Sequence, residues 1–570
     1  MLIELAEAFN HLSVEISKIS GTTLLWRDRS FETEGITDSE FLEKYSLVMS
    51  NELFSDQSRL QSVGKQTMFA ERYGGFGLGV NGGGARVVGD EKVQIKGVGP
   101  NVLAGNGAPS SHSYGGLDIQ GAVKEIIYSR LLSRISPVGV QGIYGLILLD
   151  ETSARHNGEN APSVLLVRER VTRPAHFLPC INFKQKNGKS NLIPSDFSRI
   201  LGIYKAIGKQ ALLSEFYALT QHFLERCADQ LSFFQVARLS HNALSPSNIS
   251  IDGRVLDTAL CSFIVSGTNY GQVTSYFEEP LMPVVTVKEW FYLINKFLLE
   301  KPIEAHFLQL YEQKLYQYAC INMGFVFGID REMSTKLSGT VEWGKVSTRF
   351  LSLLSIGSPI KNSTLPTVNA VDFINDILTA SLFSVLNNRK VKSNSKFLVE
   401  FSEDLSSLII MLASSLGWHG QNERSFYKAI TIQTVKRAIL SSYFFITYIG
   451  RTVDEYYASG RTDNTAEIIT ENDHIAIWLY ENTLSEHSTL FSGNEISIQY
   501  DCVADEFKYQ NLQKLETRVG DISILREIID TNKDNFTVQR YDFYPYLKCL
   551  ASLLDGDAMN SFNGVKNVYC

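Results

Sequence analysis

The chain has 570 residues, of which 44% are hydrophobic and 20% charged, and this composition excludes a wholly disordered protein. Its 53 basic and 61 acidic residues give a formal net charge of −8, which argues against a general nucleic-acid or anionic-membrane binder. At roughly 150 residues per domain the length predicts about four domains, or fewer if some are large.

Three features of the sequence bear on the cellular compartment of the protein: its cysteines, its histidines and its first 20 residues. The seven cysteines include no CxxC pair and the ten histidines no HExxH motif, which favours a reducing compartment without structural zinc. Glu4 and Glu7 stand where a signal peptide needs positive charge, so residues 1–20 predict an amphipathic helix. The longest apolar stretches, such as Ala438–Gly450, are shorter than the roughly 20 residues that span a bilayer. We therefore expect a cytoplasmic protein with no membrane or nucleic-acid partner; its oligomeric state is left open.

Short strand-like runs and one helix fill the first third of the chain. Two runs joined by Gly89-Asp90-Glu91 predict a hairpin, and apolar residues at helical spacing predict one helix. The predicted strands are Ala85–Val88, Lys92–Lys96, Gln141–Asp150 and Ser163–Val171, and the predicted helix is Gly121–Ile135. The polar segment Glu151–Pro162 predicts a surface loop.

Helical patterns dominate after the polar boundary segment Lys184–Ser195. The predicted helices are Leu212–Ala237, Val287–Leu299, Ala305–Cys320, Asp372–Leu386, Phe397–Leu416 and Ser425–Ile449. The chain thus reads as α+β, with a small mixed N-terminal lobe and a large, mostly helical C-terminal lobe. The expected divisions are 1–183 for the N-terminal lobe, 184–330 for the core of the C-terminal lobe and 331–570 for a helical C-terminal extension.

A glycine-rich run and a lysine are the first two candidate site features. Fifteen of the 41 glycines fall between Gly74 and Gly121, densest in the run Tyr73–Arg86, YGGFGLGVNGGGAR. Glycines let a backbone approach phosphates closely, although such a run is also compatible with a flexible loop or bulges. Lys96 ends the second strand of the predicted hairpin, where kinase-like folds place a phosphate-binding lysine. A solvated strand lysine is the ordinary alternative.

A glutamate and a hairpin complete the set. Glu125 lies beside the apolar stripe of the predicted helix, which suits a carboxylate that meets Lys96. The segment Ser240–Asp257 predicts a small hairpin with Asn248 and Asp257 at its two open ends. An amide oxygen and a carboxylate together suit Mg²⁺ bound to nucleotide phosphates. A surface glutamate, a capping asparagine and a surface aspartate are the alternatives, but the order of all four features favours a nucleotide site.

Taken in this order, the motifs are similar to those of the selenoprotein O family of pseudokinases, which act as protein adenylyltransferases. The family strings YGGHQFG, QLKGAG, GDG and IREF correspond to Tyr73–Gly79, Gln94–Gly99, Gly105–Gly107 and Val123–Ile126. The family loop HGxxNTDN, followed by a metal-binding Asp nine residues after the Asn, corresponds to His241, Asn248 and Asp257. The resemblance covers about Tyr73 to Asp257.

The resemblance implies a protein-kinase-like bilobal fold that binds ATP in an inverted orientation and transfers AMP to a Ser, Thr or Tyr hydroxyl of a protein or peptide. It implies that Lys96 contacts phosphates and pairs with Glu125, and that Asn248 and Asp257 hold Mg²⁺. A TRVAPSHIR-like string supplies two phosphate-binding arginines in the family; Arg170 matches the first, and Arg173 is the candidate for the second. The glycines assigned to the nucleotide are Gly75, Gly77, Gly79, Gly83, Gly84 and Gly107.

Two departures from the family pattern bear on catalysis. Ser247 stands where the family has an acidic residue before the Asn, and a serine cannot accept a proton at neutral pH as a carboxylate does. The glycine run also lacks the family's HQ pair. We therefore keep two alternatives: an ATP-binding scaffold without chemistry, and a small-molecule phosphotransferase resembling the aminoglycoside kinases. The second is weakened because Ala243 occupies the place of that group's catalytic Asp.

Two cysteines raise the question of redox control. Cys261 lies four residues after Asp257, and Cys570 ends the sequence. Since the selenoprotein O family has a redox-active residue near its C-terminus, the resemblance raises the hypothesis of a regulatory disulfide. Two unpaired cysteines are the simpler expectation.

Overall fold

The computed structural model is mixed α+β, with 56% helix and 18% strand, which confirms the predicted class. It is rich in sheet towards the N-terminus and helical towards the C-terminus. It describes residues 2–29, 35–49, 59–62, 68–107, 115–154, 160–185, 193, 195–264, 274–302, 304–355, 373–388, 396–418, 420–458, 462–480, 487–539 and 541–556.

A seven-stranded antiparallel sheet organises the N-terminal region, in the order β1-β6-β7-β8-β10-β9-β3. Its strands are β1 (His11–Val14), β3 (Thr23–Arg27), β6 (Met68–Glu71), β7 (Val87–Gly89), β8 (Val93–Lys96), β9 (Ile143–Ala154) and β10 (Asn160–Glu169). A second, three-stranded sheet contains β2 (Ser17–Ile19), β4 (Leu47–Val48) and β5 (Leu60–Ser62). The helices of this region are α1 (Leu2–Asn10), α2 (Asp38–Tyr45) and α3 (Ile119–Ile135). The predicted hairpin and helix are therefore present.

Two predictions in this region need correction. The helix expected over residues 1–20 ends at Asn10, because His11–Val14 pairs with β6 as an edge strand. The expected loop Glu151–Pro162 is shorter, because β9 runs to Ala154 and β10 begins at Asn160, with these two residues paired across the ladder. Polar residues occupy strands at both places because the ladder hydrogen bonds come from the backbone.

Helices dominate the rest of the chain. Between residues 196 and 480 the described elements are almost all helices, apart from the short strand pair β11 (Leu239–Ser240) and β12 (Ser262–Phe263). They are α4 (Asp196–Ile207), α5 (Gln210–Ala237), α6 (Thr274–Glu278), α7 (Met282–Leu298), α8 (Glu304–Asn322), α9 (Arg331–Leu337), α10 (Val341–Leu354), α11 (Phe373–Leu386), α12 (Lys396–Ser415), α13 (Glu423–Tyr443), α14 (Ile446–Tyr457) and α15 (Thr465–Tyr480). The helix predicted over Ser425–Ile449 is two helices, which meet at Phe444 and Phe445.

The expectation that residues 331–570 form a helical extension is only partly right. A four-stranded antiparallel meander follows α15, and α16 (Ile522–Thr531) and α17 (Tyr544–Asp555) complete the region with the short pair β17 (Thr537–Val538) and β18 (Tyr541–Asp542). The meander is β13 (His487–Ser492), β14 (Ile496–Asp501), β15 (Glu506–Asn511) and β16 (Glu516–Gly520). The signal was present in the alternation of Ile496, Ile498 and Tyr500 with polar residues, which is typical of a strand with one buried face.

Helix α3 packs against two parts of the molecule. Its apolar residues, including Val123, Ile126 and Leu131, share one continuous core with the sheet residues Leu146 and Leu166. The same core extends into α13 to α17 and the β13–β16 meander. The helix therefore packs against both the N-terminal sheet and the C-terminal region.

None of the helices in the described ranges combines the length and the apolar character needed to cross a membrane.

Candidate functional site

Lys96 and Glu125 meet as predicted. Lys96 is the last residue of β8, and Glu125 lies in the second turn of α3, whose first turn is capped by the Asp118 side chain. The Lys96 Nζ donates to Glu125 Oε2 at 2.7 Å, and both side chains are less than a tenth exposed. Glu125 is further held through its backbone, because Thr258 Oγ1 donates to its carbonyl at 2.9 Å.

The Asn248–Asp257 segment closes the site from the opposite side. The Leu256 amide donates to the Asn248 carbonyl at 3.0 Å, and Ile249 bridges to Val255, so the hairpin forms but with one bridge rather than two short strands. Asp257 has a left-handed backbone with φ of 54°, and its carboxylate contacts Lys96. The two residues assigned to Mg²⁺ therefore lie at the ends of adjacent arms of one hairpin, and Asp257 contacts the lysine.

Arg168 is a central member of the site that sequence reasoning missed. It lies on β10 opposite Gln94 and donates to Glu125 Oε1 at 2.9 Å and to Asp257 Oδ1 at 2.7 Å. Its Nε donates to Gln94 Oε1 at 2.8 Å, and Gln94 donates in turn to Glu71 at 2.8 Å. The available signal was the position of Arg168, directly after the apolar run Val164–Val167 on a predicted strand.

The charges of this cluster are strongly coupled. Burial alone would raise the pKa of Asp257, but Arg168, Lys96 and Arg173 together hold it well below its usual range. Burial lowers the pKa of Arg168, yet Asp257 and Glu125 outweigh it and raise that pKa. Asp257 is therefore ionised at neutral pH, and it is a weak base.

Arg173 reaches the same carboxylate from the segment after β10. Its guanidinium lies 3.7 Å from Asp257 Oδ2, donates to the Ser247 carbonyl and stacks 5.0 Å from the centre of the Tyr73 ring. The Ser247 hydroxyl is buried and lies 2.9 Å from the Ser245 hydroxyl. The catalytic position assigned to Ser247 thus holds a backbone carbonyl and a neutral hydroxyl.

Arg170 is not brought into this cluster. Strand β10 ends at Glu169, and the Arg170 guanidinium bonds to Glu7 at 2.7 Å, to His11 at 2.8 Å and to the Glu91 carbonyl. Arg170, which was predicted to be the first phosphate-binding arginine, is therefore bonded to residues outside the cluster. Arg168, two residues earlier, contacts Glu125 and Asp257 instead.

The glycine-rich run connects β6 to β7 and reaches the loop that precedes Asn248. Gly75 and Gly77 have positive φ and lie beside Leu178, Pro246 and Ser245. Gly83 also has a positive φ of 138°, and a Cβ there would lie 2.3 Å from the Glu71 carbonyl, so only glycine fits. The remaining assigned glycines differ: Gly79 and Gly107 have positive φ with no neighbour within 4 Å, and Gly84 has only ordinary contacts.

A buried carboxylate supports the loop that carries Ser247 and Asn248. Glu279 accepts hydrogen bonds from the His241 amide at 3.0 Å, the Asn242 amide at 2.7 Å and the Ser240 hydroxyl at 2.9 Å. His241 in turn bonds to the Leu256 carbonyl at 2.7 Å, directly before Asp257. Burial raises the pKa of Glu279 to about 7.

The residues present suit a hard divalent cation. Asn248 donates its Nδ2 to the Ala243 carbonyl at 2.8 Å, which leaves its amide oxygen on the other side as a ligand. That oxygen and the ionised Asp257 carboxylate are donors that Mg²⁺ prefers, with phosphate and water as the usual further ligands. Within the described ranges no cluster of three His, Cys, Asp or Glu residues offers a larger protein cage. A cation here has to share Asp257 with Lys96 and Arg168.

Of the two cysteines in the hypothesis of a regulatory disulfide, the structure describes only Cys261. Cys261 is a buried free thiol, and burial raises its pKa well above the ordinary value, so it is unreactive in this structure. Cys570 lies outside the described residues.

Comparison with known proteins adds no relative. No protein-family profile matches the chain, and no curated protein matches it significantly.

Proposed function

We propose that this chain is an ATP- and Mg²⁺-dependent nucleotidyltransferase of kinase-like, bilobal fold that transfers AMP to a hydroxyl group of a protein or peptide. The observation that carries the proposal is the meeting of Lys96, Glu125 and Asp257 from a strand, a helix and a hairpin in one buried cluster. The resemblance of these same positions to the selenoprotein O family supports the AMP-transferring activity over phosphoryl transfer.

Each residue has a part in this proposal. Lys96, oriented by Glu125, binds the phosphates, and Arg168 and Arg173 add positive charge beside it. Asn248 and Asp257 hold Mg²⁺, which when bound neutralises phosphate charge. The substrate hydroxyl oxygen attacks the α-phosphorus, the bond from that phosphorus to the β-bridging oxygen breaks, and pyrophosphate leaves.

Among the described residues of the cluster, no side chain is placed to accept the hydroxyl proton. Glu125 and Asp257 are engaged by cations, and Ser247 is neutral. Loss of a general base costs about 10²–10⁴-fold in rate, whereas nucleotidyl transfer depends mainly on positioning and charge neutralisation. We therefore expect slow transfer, with the proton passed to solvent or to a phosphate oxygen.

The second candidate is an ATP-binding scaffold without chemistry. It is favoured by the same two features: Ser247 in place of an acid, and an Asp257 carboxylate already bonded to Lys96 and Arg168. The two candidates agree on nucleotide binding and differ on turnover.

Labelled ATP separates the candidates. We expect the α-phosphate label of ATP, and not the γ-phosphate label, to appear covalently on the chain itself or on added protein, with a mass gain of one AMP. The Lys96→Met and Asp257→Asn variants should lose about 10²–10³-fold of this activity, as the removal of single charge-stabilising groups does elsewhere. Lys92→Met, on the exposed start of the same hairpin arm, is the matched control and should retain it.

The remaining outcomes each decide against the proposal. Transfer of the γ label would indicate a phosphotransferase. Thermal stabilisation by ATP–Mg²⁺ without transfer of either label would indicate the scaffold. Absence of any binding of ATP–Mg²⁺ would reject both nucleotide-based candidates.

A further inference from the structure

Helix α3 is held from the side opposite the site. Residues 125 and 130 are five positions apart, which places them about 140° apart around an α-helix. Glu125 faces Lys96, and Arg130 faces the C-terminal region. The two faces of one helix therefore connect the site with residues 420–556.

Asp473 on α15 makes polar contacts with this second face. Its Oδ1 accepts from Arg134 Nε at 2.9 Å, and its Oδ2 accepts from Arg134 at 2.8 Å and from Arg130 at 2.7 Å. Arg130 and Arg134 are one helical turn apart, so one carboxylate engages two successive turns of α3. Arg130 also donates to Asp28 at 2.6 Å, which extends the contact to the segment after β3.

The Asp473 carboxylate is mostly buried, and a separate hydrogen bond from Tyr128 joins α3 to the C-terminal region. The Asp473 side chain is 13% exposed, and although burial opposes it, the hydrogen bonds from Arg134 and Arg130 lower the pKa of Asp473. Two residues before Arg130, the buried Tyr128 hydroxyl donates to the Phe444 carbonyl at 2.8 Å, at the junction of α13 and α14. Both the position of α3 along its axis and its rotation are thus defined by the C-terminal region.

We infer that the C-terminal region, residues 420–556, holds α3 in the rotation that presents Glu125 to Lys96, and that Asp473 is a positioning residue for the site. A helix that carries the partner of a phosphate-binding lysine has to be in place before nucleotide is bound productively. In this protein the region that positions α3 is part of the same polypeptide chain. The catalytic part of this inference rests on the proposed function, and the structural part does not.

The test measures α3 directly by hydrogen–deuterium exchange in the full-length chain. Asp473→Asn should accelerate exchange in residues 119–135 by about 3- to 30-fold, the range typical of coupling between sites. It should weaken the binding of ATP–Mg²⁺ by a similar factor. Asp404→Asn is the matched control, because Asp404 accepts from Arg349 at 2.6 Å with 18% of its side chain exposed but does not contact α3.

Charge exchange distinguishes positioning from general stabilisation. Asp473→Lys should accelerate exchange in α3 more than Asp473→Asn does, and adding Arg134→Glu should restore slow exchange and nucleotide affinity. The inference is overturned if Asp473→Lys leaves exchange in residues 119–135 unchanged, or if Asp404→Asn accelerates it equally. If the wild-type chain binds no ATP–Mg²⁺, the proposed function fails while the exchange experiment still decides the role of Asp473.

Discussion

The seven-stranded sheet places Gln94, Lys96 and Arg168 on a buried face, whereas strands β14 and β15 of the C-terminal meander bury Ile498, Phe507 and similar residues. Both sheets are antiparallel and both are covered by helices. Buried charges need partners and contribute little net stability, while buried apolar groups contribute directly. The comparison indicates that the first sheet carries the candidate site, whereas the second contributes mainly apolar core.

The largest expected effect is on the meander. Phe507 is 1% exposed and packs against Tyr500, with ring centres 4.9 Å apart. Phe507→Ala should lower the free energy of unfolding by about 3–5 kcal/mol, the usual cost of a large core cavity. The affinity of the folded fraction for ATP–Mg²⁺ should stay within twofold of wild type, as measured by calorimetry below the unfolding transition. A large loss of affinity without a loss of stability would contradict the division between the two sheets.

The next effect concerns the carboxylate beneath the site. Because burial raises the pKa of Glu279 from 4.5 to about 7, the folded state binds this proton more tightly than the unfolded state. The contribution of Glu279 to stability is therefore full below pH 4.5 and is lost as the pH rises through about 7, a change of about 3 kcal/mol. Urea unfolding at pH 5 and pH 8 should reveal this slope in the wild type and its reduction in Glu279→Gln.

The exposed neighbour provides the control for that measurement. Glu278→Gln should leave the pH dependence of stability as it is in the wild type. Identical slopes in the wild type and in Glu279→Gln would show that another group is responsible.

The smallest expected effect is on nucleotide affinity, and it tests which arginines of the first sheet and its neighbouring segment belong to the site. Arg170→Ala should change the affinity for ATP–Mg²⁺ by less than about twofold, because its guanidinium is bonded to Glu7 and His11. Arg173→Ala should weaken the same binding about tenfold, because this guanidinium adjoins Asp257. Titration calorimetry of both variants checks this order, and a reversed order would return Arg170 to the phosphate site.

Local patterns predicted the parts of the site that lie on regular elements. The hairpin whose second strand ends at Lys96, and the helix that carries Glu125, are both present in the structure. The prediction failed for Arg170, since residues 168 and 170 share a strand face in sequence and only the end of β10 separates them. It also failed for the meander, whose short strands show a two-residue alternation that is weak beside the long helical patterns around it.

The sequence by itself determined the α+β class, most of the helices, and which residue types could form a nucleotide site. It did so because the periods of helix and strand, and the chemistry of glycine, lysine and carboxylates, are local properties. Only the tertiary structure decided that Arg168 joins Lys96 and Asp257 and that Arg170 does not. It also decided that Asp473 bonds to Arg130 and Arg134 of α3. These are contacts between residues up to 343 positions apart, and they follow from how the elements pack.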